Sequence, residues 1–131
     1  MRKKLLLVED NQEMLQVLVE SFREEYEVMT AADGGEALRK VAEARPDLII
    51  LDLMLPVVDG FQVCEILRKN SRTSGIPILL LSGLPGELTR LTALDSGGTD
   101  FISKPCAPSR LGEKVRALLS HSPLPVKVVP A

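Results

Sequence analysis

The sequence predicts an α/β fold built on a five-stranded parallel sheet, and three observations lead there. Short runs rich in Leu, Ile and Val alternate five times with longer segments whose apolar residues recur at intervals of three and four. The third run, Leu48 to Leu51, is apolar on consecutive residues, so both of its faces are covered and it belongs at the centre of the sheet. Right-handed crossovers then place helices on both faces, and the economical arrangement is the doubly wound order 2-1-3-4-5, with its switch point between the first and third strands.

Strands are expected near 4–9, 27–31, 47–52, 77–82 and 100–103, and helices near 11–24, 34–44, 59–69, 86–96 and 108–120. The first helix turns Met14, Leu15, Leu18, Val19 and Phe22 inward and Glu13, Gln16, Glu20 and Arg23 outward, an amphipathic stripe against a sheet. The second opens at Asp33-Gly34-Gly35, carries Ala37, Leu38 and Val41, and stops before Pro46, because a proline disfavours helix at the residue preceding it. The third opens at Asp59-Gly60, shows Phe61, Val63, Cys64, Ile66 and Leu67, and ends in the polar loop Asn70 to Gly75. After Ser120 the text turns proline-rich. Residues 1–120 are therefore expected to form one domain and 121–131 a linker or tail, with a short edge strand over Val126 to Val129 as the alternative.

Composition narrows the function. The chain has 131 residues, 45% of them apolar, which is material for one core and too little for two. A net charge of −2 with no separate basic block argues against direct nucleic-acid contact. No apolar stretch approaches a membrane span, and Met1-Arg2-Lys3-Lys4 leads into only four apolar residues, too few for a signal-peptide core. A cytoplasmic protein is expected. Cys64 and Cys106 fit no zinc or disulfide pattern; Cys64 falls on an inner helix face, and Cys106 has no resolving partner in sequence. The single His121 lies far from any strand end, so a Ser-His-Asp triad is excluded.

Four of the apolar runs end on residues that can do chemistry. Leu5 to Val8 leads to Glu9-Asp10, the third run to Asp52, Ile78 to Leu81 to Ser82, and Phe101-Ile102-Ser103 to Lys104-Pro105. In a parallel sheet these ends lie side by side, so three acids, a hydroxyl and an ammonium converge. That is a phosphoryl-transfer constellation.

On the segments Leu6 to Asp10, Asp47 to Pro56 with Asp59-Gly60, Pro77 to Gly83 and Gly97 to Pro105, the chain resembles the receiver domain of two-component response regulators from residue 4 to about 120. The resemblance implies a flavodoxin-like fold and a phosphorylated switch rather than a turnover enzyme. It implies that Asp52 accepts the phosphoryl group from a histidine kinase or phosphotransfer protein. Glu9, Asp10, Asp52 and the Met54 carbonyl would hold Mg2+ or Mn2+, a hard ion suited to oxygen ligands. Lys104 and Ser82 would contact the phosphoryl oxygens, Phe101 would turn with phosphorylation, and the bond before Pro105 matches a position often cis in the family. Without the metal the acids repel one another, and at least one pKa is expected to rise.

Several positions depart from the family pattern. Cys106 replaces an aromatic and Gly98 an alanine, which suggests a looser lead into the fifth strand. Met54 and Leu84, each two residues past a site residue where the family tunes water access, are both apolar and predict a long-lived acyl phosphate. Arg90 would face Arg110 where winged-helix regulators pair opposite charges, so a monomer or another kind of dimer is expected, even though Asp100 could pair with Lys114 or Arg116. Rival readings are weaker. A flavin site needs a phosphate loop where the chain has Asp10-Asn11-Gln12-Glu13, a phosphoester hydrolase needs an acid or base near Asp52 where Met54 stands, and a docking-only receiver would lack one of the site residues.

Overall fold

The computed structural model describes residues 2–83 and 86–120. Leu84, His121 and the alternative strand over 126–129 lie outside them. The elements are β1 (Lys4–Val8), α1 (Gln12–Phe22), β2 (Glu27–Ala31), α2 (Gly34–Ala44), β3 (Leu48–Asp52), α3 (Gly60–Lys69), β4 (Ile78–Ser82), α4 (Glu87–Asp95), β5 (Asp100–Ser103) and α5 (Pro108–Ser120). All pairings are parallel and the order is β2-β1-β3-β4-β5, as the apolar pattern requires.

Strand alternation divides the core into two layers. Leu6, Val8, Ile49, Leu51, Ile78 and Leu80 face α2, α3 and α4, while Leu5, Leu7, Leu48, Ile50, Leu79 and Leu81 face α1 and α5. Every residue of β3 and β4 is buried, which is why these strands read as unbroken apolar runs. The largest fully buried side chains all lie on β1, β3 and β4 or, for Leu53, one residue beyond. Each contributes about 1.5–3 kcal/mol of burial free energy, so these three strands form the rigid floor of the domain.

The starts of α1, α2 and α3 are fixed by side-chain caps. Asn11 accepts from Met14 N, Asp33 accepts from Glu36 N, and Asp59 forms a reciprocal capping box with Gln62. At the β2 edge the Lys40 ammonium donates to the Thr30 carbonyl, covering a group that would otherwise invite another strand. Cys64 is fully buried, and burial pushes its thiol up to about 12, the behaviour of a small hydrophobe. Cys106 is half-buried against the α1/α5 layer, and burial raises its thiol too, which disfavours a reactive thiolate.

Gly98 does not loosen the lead into β5. A Cβ there would stand 2.2 Å from Leu80 Cδ1, so the leucine already fills the space beside the glycine. At Gly98 the expectation of a looser lead is corrected on that ground. Nearby, Arg68 donates from Nε to the Gly97 carbonyl and from its terminal nitrogens to the Ser74 and Ile76 carbonyls and Thr99 Oγ1. One guanidinium thereby ties the end of α3 to the loops on either side of β4 and α4. A lone arginine at a helix end carries no such signal in sequence.

Candidate functional site

Strand register builds the site. Val8 pairs with Leu51, Asp52 with Leu81 and Ser82 with Ser103, so the residues that follow β1 and β5 stand beside the ends of β3 and β4. One oxygen each from Glu9, Asp10 and Asp52 lies within 4.8 Å of the others. Lys104 crosses from the other side: its Nζ donates to Asp52 Oδ2 at 2.6 Å and to Glu9 Oε1 at 3.0 Å. Ser82 is fully buried beside them, and the Lys104–Pro105 peptide bond is cis.

The ordinary structural roles for these residues are largely taken by others. Asn11, not Asp10, caps α1, so Asp10 stays exposed with its carboxylate turned to the cluster. Glu9 is not solvated; it is 2% exposed, its Oε2 accepting from Asn11 N. Asp52, 3% exposed, uses Oδ1 to accept from Met54 N at 2.9 Å, which closes the turn and leaves Oδ2 to face the lysine. Lys104 is no free surface lysine. Phe101 is half-buried, packed against the α2/α3/α4 layer.

Burial is the first cause of a raised Glu9 pKa, with the charge of Asp52 adding to it and the Lys104 hydrogen bond opposing. The rise was expected from repulsion between acids; desolvation proves the larger cause. For Lys104, burial works toward neutrality, but the hydrogen bonds to Asp52 and Glu9 outweigh it and hold the ammonium pKa above its usual value. The lysine therefore stays charged, and its contacts to both buried carboxylates oppose the burial that raises the Glu9 pKa.

The loop after β3 is shaped by two close approaches. Gly60 N donates to the Leu53 carbonyl, and a Cβ at Gly60 would lie 2.6 Å from both the Asp52 carbonyl oxygen and Leu53 Cα. This is the reason for a glycine after Asp59, which sequence alone showed only as a motif letter. Val57, 83% exposed, adopts φ 70°, and Val58 N donates across it to the Pro56 carbonyl. That tight turn places a β-branched residue in the left-handed region, a strain of roughly 1–3 kcal/mol next to the site. Asp10, Leu53, Met54, Leu55, Pro56, Asp59 and Phe61 line an open cleft of about 530 Å³ leading to the acids.

Comparison with known proteins gives one answer. Residues 5–116 match the family model described as the response regulator receiver domain. The chain is 39% identical over 123 residues to the alkaline phosphatase synthesis transcriptional regulatory protein PhoP of Bacillus subtilis, covering 93% of this chain and 50% of that protein. It is 38% identical over 123 residues to the DNA-binding response regulator MtrA of Mycolicibacterium smegmatis, covering 93% and 53% respectively. The chain thus spans about half the length of these relatives. Among solved structures, the chemotaxis response regulator CheY4 of Vibrio cholerae superposes with a TM-score of 0.86 at 33% identity, covering 91% of this chain and all of that one. The signal receiver domain of a histidine kinase from Syntrophus aciditrophicus gives 0.86 at 32% identity, covering 98% of both. With a family model spanning most of its length and relatives of this identity, the chain belongs to the response regulator receiver domain family.

Proposed function

We propose that this chain is the phosphoacceptor switch of a two-component system, with Asp52 as acceptor and a histidine kinase or phosphotransfer protein as donor. The observation that carries the reading is the gathering of the Glu9 and Asp10 carboxylates around Asp52 with Lys104 seated on its Oδ2. An all-oxygen donor set, with two members buried, fits a hard divalent ion. Glu9, Asp10, Asp52 and the Met54 carbonyl would hold Mg2+ or Mn2+. When bound, the ion offsets negative charge on the phosphoryl group in transfer.

The chain's own residues do the rest. An Asp52 oxygen attacks phosphorus, the bond from phosphorus to the donor's nitrogen breaks, and an acyl phosphate forms. Lys104 moves from the carboxylate to a phosphoryl oxygen as a point charge, and the Ser82 hydroxyl donates to another. The acyl phosphate carries about −2 where the carboxylate carried −1, and its charge and new acceptor oxygens bias Phe101 and the surface of α4, β5 and α5, which an output domain or docking protein reads. The chemistry is confined to the chain's own phosphorylation and dephosphorylation. Incubation with acetyl phosphate and Mg2+ is expected to add the mass of one phosphoryl group, and Asp52→Asn to abolish it. An Asp52→Asn protein that still gained that mass would sink the reading.

Met54 is 57% exposed at the mouth of the cleft, an apolar side chain that orders no attacking water. An acyl phosphate lifetime of minutes or longer is expected, and a half-life of seconds in a phosphate-release assay counts against it. On α4, Arg90 pairs with Glu87 of its own helix, and Asp100 pairs with Lys114 within the chain at 2.8 Å. These charges are engaged locally, which supports a monomer or a dimer of another geometry than the winged-helix type. Sedimentation with beryllofluoride and Mg2+ tests this; a dimer that dissociates on Asp100→Ala would refute it. No described helix is long and apolar enough to cross a membrane, and the cytoplasm remains the proposed location.

A further inference from the structure

The packing around Gly98 bears on how far Phe101 can move. Register pairs Leu80 with Phe101 and Ser82 with Ser103, so Leu80, Ser82 and Phe101 share the face of the sheet toward α4. Leu80 is fully buried, as is Ala93 of α4, and Phe101 packs on the same cluster. Gly98, whose N–H donates to the Ala93 carbonyl at 3.2 Å, forms the floor of the turn between α4 and β5. A Cβ built on it would meet Leu80 Cδ1 at 2.2 Å, Leu80 Cγ at 3.0 Å and the Ala93 oxygen at 3.3 Å. The end of the leucine side chain therefore occupies a notch that exists only because residue 98 has no side chain.

We propose that Leu80 is a positioning residue for the switch: by leaning into the Gly98 notch it keeps open the space beside the sheet into which the Phe101 ring turns. The proposal rests on the reading of Phe101 as a switch residue given above and adds what limits its travel. Interiors are packed to crystal-like density, so a side chain displaced from one site must take volume from a neighbour. Ala93 is on a helix and its carbonyl is already bonded to Gly98. Leu80 is registered between Leu51, which is fully buried, and Phe101, which is only half-buried, so a leucine expelled from the notch takes its room from the side of Phe101. The leucine and the glycine work as a pair, and neither substitution alone is neutral.

The protein carries three phenylalanines, so labelling with 4-fluorophenylalanine gives three fluorine resonances, and Phe101→Leu assigns the one of interest. In the unsubstituted chain, beryllofluoride with Mg2+ is expected to shift the Phe101 resonance. Gly98→Ala is expected to bind the analogue with roughly 5-fold or weaker apparent affinity and to leave that resonance in place, because the coupling between the site and the ring is lost. Acetyl phosphate should still add one phosphoryl group to it. Shortening the leucine in Gly98→Ala/Leu80→Val should restore both the shift and the affinity. Leu80→Ala, which needs no change at Gly98, should move the resonance toward its analogue-bound position before any analogue is added. A Gly98→Ala protein that melts earlier yet shifts its Phe101 resonance normally would show packing without positioning and overturn the proposal. So would a Leu80→Ala protein whose free spectrum is unchanged. If the unsubstituted chain takes up neither phosphoryl group nor analogue, the phosphoacceptor reading itself has failed.

Discussion

Replacing Lys104 by Met is expected to destabilise the metal-free protein by about 1–3 kcal/mol at pH 8, and Mg2+ is expected to return most of that loss. The lysine is the cation that bonds both Asp52 and Glu9, at 2.6 and 3.0 Å, and both carboxylates are almost fully buried. Removing one partner of a buried pair leaves charge without compensation, a loss that reaches about 3–5 kcal/mol when burial is complete. The lower figure applies here because the lysine side chain keeps 23% exposure and water screens part of the interaction. A divalent ion among the same oxygens supplies the missing charge, so the variant should also bind Mg2+ more tightly than the unsubstituted chain, which must share its carboxylates with the ammonium.

The pH dependence of that variant has a definite sign. Glu9 already has a raised pKa, burial being the main cause and the lysine hydrogen bond the principal restraint on it. Without the lysine the folded-state value rises further above that of the unfolded chain. The folded state then holds a proton that the unfolded state has released, and stability falls as pH rises through the interval between the two values. Urea titrations in EDTA should therefore show the Lys104→Met protein closer to the unsubstituted one at pH 5 than at pH 8. Equal midpoints at pH 8 without metal would show that the ammonium does not hold these acids. Phosphorylation of Asp52 should also slow, since no point charge is left to follow the phosphoryl oxygens.

The same contrast explains how much of the molecule could be read in advance. β3 and β4 are buried along their whole length, and an unbroken Leu and Ile run ending on Asp52 or Ser82 has few other solutions. The strand order followed from crossover handedness, and the site followed from the strand order, because parallel strands bring their carboxyl ends together. Contacts made by backbone and by space were not legible. Nothing in the residue string says that Asn11 rather than Asp10 caps α1, because either side chain can accept from the helix N-terminus. Nor does it say that Arg68 reaches three carbonyls and a hydroxyl in two loops, or that Leu80 fills the space above Gly98. Those facts depend on distances between segments far apart in sequence, and periodicity carries no distances. Exposed Val57 is the opposite case: a residue poorly suited to its backbone, in a loop whose path is set by its neighbours at Leu53 and Gly60.

That loop is the target of the second large effect. Gly60→Ala is expected to cost on the order of 3 kcal/mol and to slow phosphorylation of Asp52 by about tenfold or more, with Gly75→Ala as the neutral control. A new Cβ at residue 60 would fall 2.6 Å from the Asp52 carbonyl oxygen and from Leu53 Cα, and both are backbone atoms of the buried floor. No flexible side-chain end is available to yield, so α3 must withdraw from β3, stretching the Gly60 N–H bond to the Leu53 carbonyl. Overpacking of this kind costs about 1–3 kcal/mol, and the upper end applies where neighbours cannot move. Leu53 follows Asp52 directly, and displacing it also moves Met54, whose N–H fixes Asp52 Oδ1. A misplacement of about 1 Å at a reacting group can cost about 10²-fold in rate, so even a partial shift should be visible. At Gly75 a Cβ would meet nothing within 4 Å, and a change within about 0.5 kcal/mol is expected there. Urea midpoints and the rate of mass gain from acetyl phosphate with Mg2+ read the two effects separately. A Gly60→Ala protein with unchanged stability and unchanged rate would mean that α3 can slide along β3 at no cost, and that the close approach does not hold Asp52 in place.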